Sequence, residues 1–255
     1  MLPSASERRI KQVASLSRRK GRDLLGSFLI EGARSLHSAI LAGADLVDIF
    51  IEDGVSTGSG LEGLIESRDG SIFSVSEREM KKMSDTSSSS GILAVAKIPE
   101  PSTDCILCKG KTLLLDGVQD PGNVGTLIRT AAWFGVDAVM AGPGTADFYA
   151  PKTVRSAMGG IWDVQLERIE FIEGFLDTCL RNDVDIRIAD MHGTPVSEWN
   201  APEHSILIIG SEAHGVSEAA RKKSNGAISI AAAEGMRAVE SLNAAVAGGI
   251  LMAGW

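Results

Sequence analysis

Apolar and polar positions along this chain change rhythm several times, and each rhythm predicts an element. Phe28-Leu29-Ile30 is a short apolar run, Leu36, Ile40 and Leu41 follow at helical spacing, and Val47 to Ile51 is mostly apolar again. The pattern predicts strand, helix, strand. "SIFSVSEREMKKM" adds a strand and a short helix, with Ser76 and Glu79 at the spacing of a capping box. The low-complexity "SDTSSSS" reads as a flexible loop, and "GILAVAKI" as a closing strand. Residues 1–98 are therefore expected to form a small α/β module. "PEPSTD" carries two prolines and no apolar side chain, which suits a linker over 99–110.

The pattern restarts at Lys111 and defines a second domain over 111–255. "TLLLD", "VDAVMAG", "VDIRIAD", "HSILIIG" and "AISI" are short, nearly continuous apolar runs separated by helical stretches. Such runs predict an α/β fold whose mostly parallel sheet is covered on both faces. Ligands of these sheets bind beyond the carboxyl ends of the strands. The segments there are 116–125, 142–144, 210–215 and 231–241, three of them rich in glycine.

Composition narrows the class. No apolar run approaches the roughly 18 residues of a membrane span, and the start lacks the apolar core of a secretory signal. The expectation is a reduced cytoplasmic protein with no membrane association. Of three cysteines, Cys105 and Cys108 form a lone C-x-x-C without a second ligand pair, so no metal is assigned. The net charge of −8 argues mildly against a nucleic-acid partner, but residues 8–22 hold Arg8, Arg9, Lys11, Arg18, Arg19, Lys20 and Arg22. This basic segment is a candidate RNA contact, although a solvated helix face has the same composition.

Three motifs carry the candidate chemistry. "NVGTLIR" places Asn123, Gly125 and Arg129 together after a turn; Asn123 there would also suit a helix N-cap. Gly125 inside the first turn costs about 1 kcal/mol against alanine, which capping does not explain. "GSEAHG" puts Gly210, Glu212 and Gly215 at a strand's carboxyl end. "SLN", residues 241–243, opens a helix of apolar and small residues.

In this order the motifs resemble the SpoU–TrmH family of the SPOUT superfamily, RNA ribose 2′-O-methyltransferases. The family's N-x-G-x-x-x-R, G-x-E-x-x-G and S-L-N are matched by Asn123–Gly125–Arg129, Gly210–Glu212–Gly215 and Ser241–Leu242–Asn243. Residues 1–97 are similar to the family's substrate-binding domain, whose fold is like small ribosomal RNA-binding proteins. The resemblance implies a C-terminal trefoil knot, S-adenosyl-L-methionine as cofactor, and a homodimer formed through the catalytic domain. It places Gly210, Ile230 and Leu242 at the cofactor and makes Arg129 the catalytic arginine. Asn123, Glu212, Ser241 and Asn243 would form the polar frame that orients it. Arginine as a general base is chemically awkward, since its pKa is roughly 12 or above; its planar fork suits a phosphate better. No metal is required.

Two departures stand out. The family places proline after the strand of its third motif, where this chain has Ala231, and the stretch to Ser241 is longer than usual. The target is structured RNA, ribosomal in preference to transfer RNA because of the accessory domain. A non-catalytic RNA-binding factor with this fold is one alternative. A dinucleotide oxidoreductase, suggested by "AGPGTAD" after a strand, is the other; it lacks a G-x-G-x-x-G opening a helix.

Overall fold

The computed structural model describes residues 2–66, 71–100, 110–233 and 241–255. Two compact units account for the chain: Met1–Glu100 with Tyr149–Trp162, and Pro101–Phe148 with Asp163–Trp255.

The first unit opens with two helices, α1 (Glu7–Ser15) and α2 (Arg19–Leu25). It continues through β1 (Ser27–Glu31), α3 (Ala33–Leu41), β2 (Leu46–Glu52), α4 (Ser59–Glu66), β3 (Ser71–Val75), α5 (Glu77–Met83) and β4 (Ile92–Lys97). The strands pair in the order β1-β4-β2-β3, antiparallel except for β2 with β3. Ser76 and Glu79 form the expected capping box on α5. Ile10, Val13 and Leu16 join Met80, Met83, Leu29 and Phe50 in one cluster, so α1 and α5 cover the same sheet face. Alternation along β1 turns Phe28 the other way, onto the rings of Tyr149 (4.8 Å) and Trp162 (5.9 Å). Those two rings bracket a later helix that the apolar rhythm of residues 1–98 cannot reveal.

The serine-rich loop is tied down rather than free. The Ser84 and Thr86 hydroxyls and the Asp85 N–H all donate to the carboxylate of Glu31. A short polar segment reads as flexible until a buried acceptor gathers its donors.

The second unit contains β5 (Lys111–Asp116), α6 (Pro121–Trp133), β6 (Ala138–Ala141), β7 (Gln165–Arg168), α8 (Ile172–Arg181) and β8 (Asp185–Pro195). β9 (Ser205–Gly210), α9 (Glu218–Lys223), β10 (Gly226–Ser229) and α10 (Ala244–Ala253) complete it. α7 (Pro151–Ala157) lies between β6 and β7 in sequence but belongs to the first unit. Six strands pair in the order β10-β8-β9-β5-β6-β7, each pair parallel. Leu114, Met140, Ile206 and Ile208 pack with Ile172, Phe175 and Leu176 of α8 and Ala220 of α9. Alternation turns Leu113, Leu115 and Ile209 to the other face. There α10 packs on α6 and β9. A side chain at Gly248 would begin 2.3 Å from the end of the Leu127 side chain of α6, so glycine lets α10 approach α6 without displacing that leucine. After β10 at the sheet edge the chain returns to the middle of the sheet. The threading of a trefoil knot depends on that return, and residues 234–240 lie outside the described residues.

Candidate active site

The parallel sheet brings the ends of β5, β6, β9 and β10 to one edge, and the three motifs meet there. The first begins one step earlier than its sequence suggests. Asp120, not Asn123, is the N-cap of α6: its carboxylate accepts from the N–H groups of Gly122 (2.7 Å) and Asn123 (3.1 Å). Pro121 takes the first helical position, where a missing N–H costs nothing. The Asp-Pro pair was the available signal. With the cap supplied by Asp120, the Asn123 amide is free for other partners.

Those partners come from the other two motifs. The Asn123 amide N–H donates to Glu212, and its oxygen accepts from the Asn243 amide N–H at 3.1 Å. The Asn243 oxygen in turn caps α10, accepting from the N–H groups of Ala245 (3.0 Å) and Val246 (3.2 Å). This chain has only one consistent direction. The helix terminus demands an acceptor from Asn243, so its nitrogen faces Asn123; the carboxylate demands a donor, so the nitrogen of Asn123 faces Glu212.

The loop bearing Glu212 is built to be rigid. Ser211 and Gly215 exchange two backbone hydrogen bonds, of 3.0 and 2.8 Å. The Ser211 hydroxyl accepts from the N–H groups of Ala213 and His214. A side chain on Gly210 would begin 2.2 Å from the Gly215 carbonyl carbon, so the loop closes only over glycine. Asp116, buried at the end of β5, accepts from the Ser217 N–H at 2.6 Å and anchors the loop's exit. Sequence reading passed over Asp116, although an aspartate closing an apolar strand was visible in "TLLLD". Thr145 is a second omission: its hydroxyl donates to the Leu115 carbonyl (2.7 Å) and accepts from the Gly117 N–H (3.1 Å).

Arg129 and Ser241 are not part of this network. Both are exposed, and neither makes a side-chain hydrogen bond or ion pair with another described residue. Arg129 lies six residues beyond Asn123, about 240° round the helix, so the frame expected to orient it points elsewhere. Ile230 is half-buried just after Ser229, whose hydroxyl donates to the Gly193 carbonyl at 2.8 Å. Leu242 is 44% exposed. An adenine ring is the kind of surface that would cover such apolar groups, Ile230 just after β10 and Leu242 just before α10. The residues present therefore fit the implied cofactor on its apolar side. Among the described residues no cluster of His, Cys, Asp or Glu could hold a metal ion; Cys105 and Cys108 lie outside them.

The basic segment divides into surface and interior. Arg8, Arg18, Arg19 and Lys20 are exposed, Arg19 beside Asp23 at 3.7 Å. Arg9 is paired with Asp48 (3.3 Å) and lies over the Phe73 ring (4.5 Å). Arg22 is corrected outright as an RNA contact. It is 3% exposed, and its guanidinium donates to the carbonyls of Leu16 and Ser17 at the end of α1. Charge alone cannot distinguish a helix-terminating arginine from a surface one.

Comparison with known proteins agrees with this geometry. The profile of the SpoU rRNA Methylase family matches residues 110–253, and that of the MRM3-like substrate binding domain matches residues 7–94. The chain is 32% identical over 252 residues to the 23S rRNA (guanosine(2553)-2′-O)-methyltransferase RlmP of Bacillus subtilis, covering 98% of this chain and 97% of that one. A TrmH-family structure from Porphyromonas gingivalis superposes with a TM-score of 0.86 at 30% identity, covering 98% of both chains. The SpoU methyltransferase AviRb of Streptomyces viridochromogenes, solved with its cofactor AdoMet, has a TM-score of 0.87 at 23% identity, covering 98% of this chain and 97% of that one. The sequence motifs, the parallel sheet and the joined motif ends thus agree, and the chain belongs to the SpoU rRNA methylase family.

Proposed function

We propose that this chain transfers the methyl group of S-adenosyl-L-methionine to a ribose 2′-hydroxyl of ribosomal RNA. The observation that carries the reading is the hydrogen-bonded chain Glu212–Asn123–Asn243, which joins all three motifs at the carboxyl edge of the sheet. The ribosomal substrate is supported by RlmP and by a 23S rRNA (uridine(2479)-2′-O)-methyltransferase of Streptomyces viridochromogenes, matched over 98% and 92% of this chain. The compartment we propose is the cytoplasm, because three cysteines do not make a disulfide framework.

The cofactor supplies an already activated methyl group, so the protein must align the acceptor and help a proton leave. Arg129, exposed on α6, holds the phosphate beside the target ribose through its two-pronged guanidinium. Asn123 and Asn243 keep the start of α10 and the Glu212 loop in fixed register, so that Gly210, Ile230 and Leu242 form one cofactor wall. Ser241 faces the ribose side. Arg8, Arg18, Arg19 and Lys20 of the first unit contact RNA.

The working unit we propose is a homodimer through the second unit. On α10, Val246 and Ile250 are 52% and 42% exposed, and on α6 Trp133 is 84% exposed. Gly249 abuts Thr130 of α6, so these side chains border one apolar surface, which a two-fold partner would cover. Light scattering checks it: a mass near twice the 26.8 kDa of one chain supports the dimer, and an active species at 26.8 kDa rejects it. Calorimetry with S-adenosyl-L-methionine tests the enzyme reading against a non-catalytic RNA-binding role. Binding is expected, and its absence in folded protein contradicts the proposal.

A further inference from the structure

The outward face of α1 carries Arg8, Lys11, Gln12 and Ser15, which line a shallow groove with Glu7. Ile10 and Val13 on its other face are buried in the core, so the polar stripe is held towards solvent from behind. Arg22, at the carbonyls of Leu16 and Ser17, closes the end of this helix and fixes its position.

α5 packs alongside α1 and exposes Arg78, Lys81 and Lys82. Lys11, and more weakly Lys82 from across the gap, hold the Glu7 carboxyl below its ordinary range. The two helices therefore present one electrostatic surface. Leaving aside Arg9, paired with Asp48, α1 and α5 carry five cations (Arg8, Lys11, Arg78, Lys81 and Lys82) and three carboxylates (Glu7, Glu77 and Glu79). That is a local excess of two positive charges on a chain whose net charge is −8.

The aromatic residues of this unit decide what kind of RNA suits the ridge. They are Phe28, Phe50, Phe73, Tyr149 and Trp162. The three phenylalanines are buried, Phe73 beneath Arg9, and Tyr149 and Trp162 pack on Phe28. Single strands are held by stacking bases on exposed rings, and this unit turns its rings inward. A duplex instead offers a dense phosphate array, about one charge per 1.7 Å of axis.

We infer that the α1–α5 ridge binds double-helical RNA through its phosphates, by shape and charge rather than by base stacking. This rests on the RNA methyltransferase reading above and names the form of RNA that the first unit grips. Specificity for the methylated nucleotide then belongs to the second unit, while the first unit supplies a sequence-tolerant hold on a neighbouring helix.

Fluorescence anisotropy on the full chain tests this, with a duplex RNA of about 16 base pairs and a single strand of equal length, over a series of salt concentrations. The duplex should bind several-fold tighter, with little change when its base pairs are permuted. The triple variant Arg8→Gln, Lys11→Gln, Lys82→Gln should bind duplex about tenfold more weakly. Its logarithmic salt slope should be shallower by roughly two to three, one phosphate contact being lost per cation. Lys222→Gln, at an exposed site on α9, should leave both unchanged, and equal melting temperatures show that the variants fold. An unchanged affinity and slope in the triple variant, or tighter binding of the single strand, overturns the inference. If S-adenosyl-L-methionine still binds in that case, only the ridge assignment fails; a folded chain that binds neither RNA nor cofactor removes the methyltransferase reading as well.

Discussion

Two polar clusters, one in each unit, join segments far apart in the chain, and they are built in opposite ways. In the first unit, Glu31 is buried to 9% exposure of its side chain and accepts from Ser84 (2.6 Å), Asp85 (3.1 Å), Thr86 (3.3 Å) and Arg155 (3.1 Å). Its carboxylate is saturated and shielded. In the second unit, Glu212 is exposed at the tip of a rigid loop, holds Asn123, and keeps capacity to spare. Arg129 and Ser241 beside the same motifs have no partner among the described residues. A saturated buried cluster serves folding, because every group in it is already spent. An exposed chain with unsatisfied neighbours is arranged for a ligand that completes it.

The strongest way to break this contrast is at Arg129. Arg129→Ala should reduce methyl transfer by about a hundred- to a thousand-fold while S-adenosyl-L-methionine affinity stays within a few fold and the melting temperature is unchanged. Single-turnover kinetics and calorimetry read the three quantities. Near-normal turnover would remove Arg129 from the chemistry.

Asn243 sharpens the comparison because its two ends do different work. Asn243→Asp keeps an oxygen to cap α10 but has no hydrogen to give Asn123. Flipping the Asn123 amide would only aim its oxygen at Glu212. Turnover should fall more than tenfold with stability nearly intact, whereas Asn243→Ala should also lose about 1 kcal/mol of helix cap. Equal behaviour of the two variants would show that the cap alone matters.

At the saturated cluster the signs reverse. Glu31→Ala should cost about 1 kcal/mol of stability, since it takes the shared acceptor away from several part-buried donors, with activity per folded molecule preserved. Chemical denaturation and active-site titration decide this. A loss of activity without a loss of stability would move Glu31 from the folding class to the functional one.

The smallest effect concerns Asp190, whose carboxyl lies below the ordinary range because the His192 N–H donates to it, with Arg221 adding a weaker pull. A depressed acid adds stability above its unfolded pKa of about 3.9, and that stability is lost as the pH falls through the lower native value. Asp190→Asn should therefore lower stability slightly at neutral pH and flatten the acid limb below about 4, the two proteins converging in strong acid. An unaltered acid limb would show that the contact contributes nothing.

Much of the frame could be read from residue pattern because it follows from period and burial. The runs at 28–30, 47–51, 112–115 and 205–209 are strands because they are apolar and short, and in the second unit their parallel direction followed from the helices between them. Asn243 as the cap of α10 was equally open to inspection. Three things were hidden, each for a physical reason. The ring contacts of Tyr149 and Trp162 with Phe28 are non-local, so no rhythm within residues 1–98 records the helix that completes that unit. Arg22 is indistinguishable in charge from Arg18, and only burial reveals its carbonyl partners. The frame reaching Asn123 but not Arg129 is a matter of helical phase, which a motif written in one dimension does not display.

The most direct test of the central claim is methyl transfer itself. The protein is incubated with isotopically labelled S-adenosyl-L-methionine and ribosomal RNA from cells lacking this gene, and the RNA is then digested to nucleosides. We expect label in a single 2′-O-methylated nucleoside, absent when Arg129→Ala replaces the unmodified protein. Label on a base, or no label from a folded protein that binds the cofactor, would contradict the account.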